Sequence, residues 1–195
     1  MPEGHSIHRL ARRHKKLFAG EPVRVSSPQG RFAEGAALLD GRVLEGTDAW
    51  GKHLFHRYAG GQWLHIHLGL YGKFADGALP APEVRGALRM RVESATTWLD
   101  LRGPIRCEVI TAEEKAVIVG ALGPDPLRPD ADPDLAGAKF ARSRIAIGAL
   151  LMNQAVLAGV GNVYRAEILY RHRVHPYLPG RELETVVWAD MWNDL

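Results

Sequence analysis

The chain holds one cysteine, Cys107, so it can form no intrachain disulfide, and a reducing compartment is expected. It has no apolar run approaching the ~18 residues that a membrane helix needs, and no secretory h-region. Neither export nor membrane insertion is expected, and a cytoplasmic protein is. Internal repeats and long low-complexity tracts are absent too, which excludes solenoid and fibrous architectures. Aromatic residues are scarce at 8%, yet 46% of the 195 residues are hydrophobic, enough for a real core and too many for a disordered chain. Charge of neither sign dominates. The net charge is +3, with a sequence pI of about 9.2. Arginine outnumbers lysine, and the planar guanidinium suits bidentate contact to phosphate, so a polyanionic partner fits the composition.

What the chain does have is a change of character near its middle. Residues 123–133 carry four prolines together with Asp and Gly, the makings of a stiff, irregular linker. This divides the chain into residues 1–122, the linker 123–133, and residues 134–195. After an opening helix over Gly4 to Phe18, the first part reads mostly as short strands. They lie at 23–25, 42–44, 54–58, 62–68, 87–93, 97–100 and 106–110, with Gly-rich turns between them. The last part reads as helix over 140–157, helix from Asn162 to about Arg173, and helix again from Glu182. The fold class is therefore α+β: an N-terminal β-sandwich with flanking helices, then a helical domain.

Several residues stand out chemically. If the initiator Met is removed, Pro2 is left with a free secondary amine, and an α-amino group titrates at roughly 7.7–8.0. Such an amine can attack a sugar or carbonyl carbon and form an iminium. Glu3 stands beside it and can move protons. A proline behind a retained Met1 is the ordinary alternative. Lys52 follows Gly51 at the mouth of a strand, where it serves either a ligand or the solvent. His65 and His67 share one strand face at a spacing known from metal sites, but no acidic or cysteine ligand nearby completes a set, and no metal is expected. Leu70 and Tyr71 lie between Gly69 and Gly72 in an exposed turn, and apolar residues so placed can wedge into a base stack. Gly159 and Gly161 permit a tight turn, with Asn162 as N-cap of the next helix. Its free N–H groups would suit a phosphate, or the motif is a plain helical hairpin.

Taken in order, these pieces resemble one family, the formamidopyrimidine-DNA glycosylases and endonuclease VIII enzymes of base excision repair. The resemblance rests on Met-Pro-Glu-Gly at 1–4, Gly-Lys at 51–52 and His-Leu-Gly-Leu-Tyr-Gly at 67–72. Gly-Pro-Asp-Pro-Leu at 123–127 and the run from Asn153 to Leu169 complete it. It covers nearly the whole chain. It implies a β-sandwich followed by a helix–two-turn–helix domain, damaged double-stranded DNA as partner, a monomer, a nucleoid-associated location and no cofactor in the chemistry. By position it implies Pro2 as nucleophile at C1′, Glu3 as general acid/base, and Lys52 as a phosphate-contacting lysine that aids elimination. It further implies DNA contacts from His67, Leu70, Tyr71, Arg102, Arg144 and Asn162. The Leu70-Tyr71 pair and the Met-Pro-Glu-Gly-His start are closer to the endonuclease VIII branch, which favours oxidised pyrimidines. An oxidised-purine glycosylase and a non-catalytic damage-binding relative are the alternatives, with a small tautomerase more distant. Two features depart from the pattern. Ser6 stands where the family usually has glutamate. The C-terminal zinc finger, whose arginine would bind the lesion phosphate, has no counterpart here, so a truncated enzyme is expected, with zinc confined to a longer parent.

Overall fold

The computed structural model of the protein describes residues 2–195. It begins with helix α1 (Gly4–Phe18), whose buried residues Ile7, Ala11, His14 and Phe18 recur at helical spacing. Arg9, Arg12, Arg13, Lys15 and Lys16 remain exposed on its other faces. Gly20, at φ +89, turns the chain out of the helix where an L side chain would be strained. There follow β1 (Arg24–Ser26), α2 (Ala33–Leu39), β2 (Leu44–Trp50), β3 (His53–Tyr58), β4 (Trp63–His67), β5 (Lys73–Ala78), β6 (Leu88–Glu93), β7 (Thr97–Arg102) and β8 (Arg106–Ile110). The helical part comprises α3 (Ala112–Gly120), α4 (Pro133–Ala141), α5 (Ile147–Leu150), α6 (Asn162–Arg171) and α7 (Thr185–Asp194).

The eight strands form two antiparallel four-stranded sheets, ordered β1-β6-β7-β5 and β2-β3-β4-β8. Alternation decides their faces. In β3, Leu54, His56 and Tyr58 point into the core, while His53 and Arg57 stay at or near the surface. Residues from both sheets, among them Leu44, Leu54, Leu64, Ile66, Met90, Val92, Leu99 and Leu101, meet in one apolar core, joined by Ile7 and Phe18 of α1. A second core gathers Phe140, Ile147, Leu151, Leu157, Ile168, Trp188 and Met191 from the helices.

Several local expectations differ from this architecture. The apolar positions over 140–157 predict one helix, but α4 ends at Ala141 and α5 spans only Ile147–Leu150. The chain between them is bridged to Pro179 at Ala146 and cannot continue the helix. Asn162 is not the N-cap of α6; Gly161 is, and Asn162 is the first helical residue. That helix ends at Arg171, and the last begins at Thr185 rather than Glu182. The sequence pattern predicts none of α2, α3 and β5. Yet α3 carries a full capping box, Thr111 with Glu114, that is readable in the sequence.

The two cores are stitched together by specific polar groups. Arg128 reaches back to Asp48 Oδ1 at 2.9 Å and the Ala49 carbonyl at 3.0 Å, and lies over the Trp50 ring. The Trp50 indole donates to the Gly123 carbonyl at 3.1 Å.

Candidate active site

The first residues of α1 meet the helical half of the molecule here. Glu3 is the N-cap residue of α1, but its side chain does not cap its own helix. It is buried, and its carboxylate accepts from the backbone N–H groups of Val163 at 2.9 Å, Gly161 at 2.9 Å and Tyr164 at 3.3 Å. Glu3 therefore caps α6 from 158 residues away in sequence. The positive end of a helix attracts an anion, and here the protein fills that place with its own carboxylate. This corrects the idea that those N–H groups stand open for phosphate. Asn162, exposed on the first turn, instead accepts a hydrogen bond from Arg165.

Close packing of glycines makes the junction possible. Gly4 donates to the Gly159 carbonyl at 2.9 Å. A Cβ on Gly4 would lie 3.0 Å from the Gly159 Cα, and a Cβ on Gly51 would lie 3.0 Å from the Gly159 nitrogen. Gly159 itself has φ +92, a conformation that L side chains rarely adopt. Three backbones (the start of α1, the β2–β3 turn and the loop before α6) thus meet with no room for side chains.

Lys52 rides on the two-residue β2–β3 turn, in which Gly51 has φ +56, the first turn position where a type II′ hairpin wants glycine. The turn is held by Asp125, a fully buried carboxylate that the sequence reading did not single out. It accepts from Gly51 N–H at 2.7 Å, from the His8 imidazole at 2.7 Å and from Leu127 N–H at 3.0 Å. Gln154 plays a similar part for the α6 loop, accepting from Gly159 N–H and donating to the Val160 carbonyl, both at 3.0 Å. Both lie inside the motifs that carry the family resemblance, Gly-Pro-Asp-Pro-Leu and Asn-Gln-Ala-Val-Leu. Burial pushes the Lys52 ammonium below its ordinary pKa, and the nearby Glu3 charge works against that. Pro2, Glu3 and Lys52 are thereby drawn towards one place. Pro2 is half-buried; Met1, on whose removal its amine depends, lies outside the described residues.

The other named residues fall into two groups. Leu70 and Tyr71 protrude from the β4–β5 loop, 58% and 80% exposed, and nothing in the fold covers them. Arg102 ends β7 in register with Lys73, and Gly103 beside it packs against the Tyr71 backbone. The Arg102 guanidinium is paired with Asp100 at 3.1 Å, so it is partly engaged within the fold. His67 closes β4 beside this loop, half-buried, and its pKa is lowered by burial and by its neighbours His65 and Lys52. Arg144 is exposed in the α4–α5 turn, and its guanidinium has no hydrogen-bond or ion-pair partner among the described residues. Among those residues no group of three His, Cys, Asp or Glu is placed to hold a metal, and no helix is long and apolar enough to cross a membrane.

Comparison with known proteins decides the family. Residues 1–107 match the formamidopyrimidine-DNA glycosylase N-terminal domain, and residues 122–195 match the formamidopyrimidine-DNA glycosylase H2TH domain. The chain belongs to the formamidopyrimidine-DNA glycosylase family. Within this glycosylase family it is 56% identical over 199 residues to endonuclease 8 1 of Mycobacterium tuberculosis, covering all of this chain and 74% of that one. It is 37% identical over 192 residues to probable endonuclease 8 2 of Streptomyces coelicolor, covering 94% of this chain and 67% of the relative. Among solved glycosylase structures, the Lactococcus lactis enzyme in complex with DNA containing an abasic site superposes with a TM-score of 0.84. That match covers 98% of this chain and 74% of that one at 22% identity.

Proposed function

We propose that this glycosylase-family protein excises oxidised bases from damaged double-stranded DNA and then cleaves the abasic strand, with Pro2 as nucleophile. The observation that carries the reading is the Glu3 clamp. It fixes the residue next to Pro2 against α6, so that the chain terminus cannot wander from Lys52 and the glycine junction. Holding reactants in place can supply a large part of a barrier reduction, and a terminus is otherwise the most mobile part of a chain.

The chemistry follows from these groups. A damaged base leaves the stack at a cost of a few kcal/mol, less where its pairing is already weak. Leu70 and Tyr71, exposed and apolar, fill the space it vacates. The Pro2 nitrogen attacks C1′ and displaces the base, and Glu3 handles the accompanying proton as the sugar ring opens. The iminium so formed acidifies C2′. Loss of a C2′ proton expels the 3′-phosphate, and a second elimination expels the 5′-phosphate. Lys52, whose pKa burial lowers, contacts those phosphates and aids the eliminations. The iminium is itself the electron sink, so the scheme calls for neither a metal nor a redox cofactor. His67, Arg144 and Asn162 hold the DNA backbone, and Arg102 supports the wedge. Oxidised pyrimidines are the favoured lesions, in keeping with the Leu70-Tyr71 pair and with the mycobacterial relative named endonuclease 8. The assignment carries with it a cytoplasmic, nucleoid-associated location.

Reduction with borohydride on a duplex containing an abasic site tests this. The expected product is a covalent protein–DNA adduct whose peptide map places the cross-link on Pro2, in chains from which Met1 has been removed. An adduct on Lys52, or none at all, would overturn the assignment of the nucleophile. Excision from a thymine-glycol duplex beside an 8-oxoguanine duplex then checks lesion class, and the first is expected to react faster.

A further inference from the structure

The outer face of the second sheet carries a line of ionisable groups that the chemistry above does not use. His65 on β4 is 1% exposed and sits between two partners. On one side its Nδ1 is 2.9 Å from Glu108 Oε1 on β8, and on the other its Nε2 is 2.9 Å from His53 Nδ1 on β3. The His53 and His65 rings stack at 15° with centroids 5.1 Å apart, over Phe55. His67 then packs at 61° against His53, with centroids 4.8 Å apart. Lys52 adjoins this end of the line.

The hydrogen bonds dictate which nitrogens carry protons. Glu108 as a carboxylate can only accept, so His65 Nδ1 holds the proton and Nε2 is bare. His53 must then donate from Nδ1, which leaves its own Nε2 bare. His67 Nδ1 is buried without a partner. A buried bare nitrogen is tolerated better than a buried orphan N–H, so the His67 proton belongs on Nε2. A near-parallel, hydrogen-bonded pair of rings also does not converge on a shared metal centre.

We propose that Glu108, His65 and His53 are positioning residues: hydrogen bonds lock the tautomers and orientation of His65 and His53, and the fixed His53 ring, packed against His67, orients it so that it offers an Nε2–H to a DNA phosphate beside Lys52. The proposal rests on the glycosylase reading above for its ligand. Burial first, and then every charge facing the cluster except that of Glu108, favours neutral rings. Lys52, Arg106 on β8 and the histidines themselves oppose a further proton, and Glu108 alone pulls the other way. Burial and its charged neighbours hold His53 down to about 3, and His65 and His67 are lowered from their ordinary value. A neutral His67 that donates one hydrogen bond discriminates by geometry, which a mobile cation cannot do. Arg106 and Glu108 are 62% and 41% exposed, so the outer end of the line remains open to solvent.

The test is Glu108→Ala on the full chain, read in two ways. In 15N-histidine NMR spectra, wild type should show His53 with a bare Nε2 and a protonated Nδ1. The variant should show that order reversed, or a mixture. Strand cleavage at a preformed abasic site should fall roughly tenfold, the order of one lost hydrogen bond to a charged group. Formate, but not chloride at equal ionic strength, should restore much of it. An unchanged histidine spectrum overturns the tautomer assignment. A reversed spectrum with unchanged cleavage overturns the role in positioning. Borohydride trapping at Pro2 in wild type is scored separately: if it fails, the glycosylase reading falls while the spectral result stands.

Discussion

Glu3 caps α6 and, in the proposed reaction, also moves a proton, and a single substitution separates the two roles. In Glu3→Gln the side chain keeps one acceptor oxygen and gains an NH2 that must face backbone N–H donors of α6. Leaving a buried donor unpaired costs about 1–3 kcal/mol, so the urea midpoint should fall. Base release should fall more than ~100-fold, the usual effect of removing a proton-transfer group, while trapping on a preformed abasic site should persist. Wild-type base release would show that Glu3 is purely a cap. At this scale the sequence was informative about chemistry and silent about partners. Pro2 and Glu3 stand out because an amine beside a carboxyl is a recognisable pair. That the carboxyl ends on Gly161, Val163 and Tyr164 could not be read from neighbours in the chain. Asn162 illustrates the opposite error. Asparagine is a good cap by type, but Gly161 takes the N-cap position and Glu3 supplies the capping oxygen from outside.

At the level of elements, α1 lies on the sandwich through a buried pair of imidazoles. His14 Nδ1 on α1 is 3.0 Å from His56 Nε2 on β3, both rings are fully buried, and the outer nitrogen of each has no partner. Burial holds His14 well below its ordinary value of 6.5 and His56 down to about 4. Both bases are therefore neutral in the fold where the unfolded chain would bind protons. Above pH 6.5 neither state is protonated and stability is unaffected. As the pH falls below 6.5 the unfolded state gains protons first, and each histidine removes about 1.4 kcal/mol per pH unit until its folded value is reached. Urea unfolding at pH 7, 6 and 5 should show this loss, and His56→Phe should weaken the slope. A stability that stays flat from pH 7 to 5 would contradict it. Most strands were legible because alternation and Gly turns mark them, but β5 was not, and β2 was met only at Leu44. The helix expected over 140–157 failed because its apolar spacing is genuine while its backbone is diverted at Ala146 to pair with Pro179. Pairing across 33 residues leaves no local trace.

For the whole molecule, the phosphate contacts proposed for Lys52, His67 and Arg144 give duplex binding a salt dependence. If about four phosphates are neutralised, log affinity for duplex DNA should fall with log salt at a slope of roughly −3 to −4. Affinity measured from 50 to 200 mM salt checks this, and a flat response would exclude a backbone-dominated complex. The order of strands and helices, and hence the α+β class, was visible along the chain. How the two cores lock was not, because it depends on Asp125, Arg128 and three glycines that meet only in space.

The bond between Glu3 and α6 also has a meaning in time. A ribosome releases the first residues of this chain long before the last. Glu3 cannot find its partners until Tyr164 has been made and has left the exit tunnel. At 5–20 residues per second that interval is roughly ten to thirty seconds. Throughout it Glu3 has no α6 to cap, the terminus is open to the processing that would free the Pro2 amine, and only afterwards is it sealed into the junction. The nitrogen proposed as nucleophile is thus exposed for its maturation first and ordered last. In the proposed reaction, an amine able to attack sugar carbons is held back until the groups that direct it are in place.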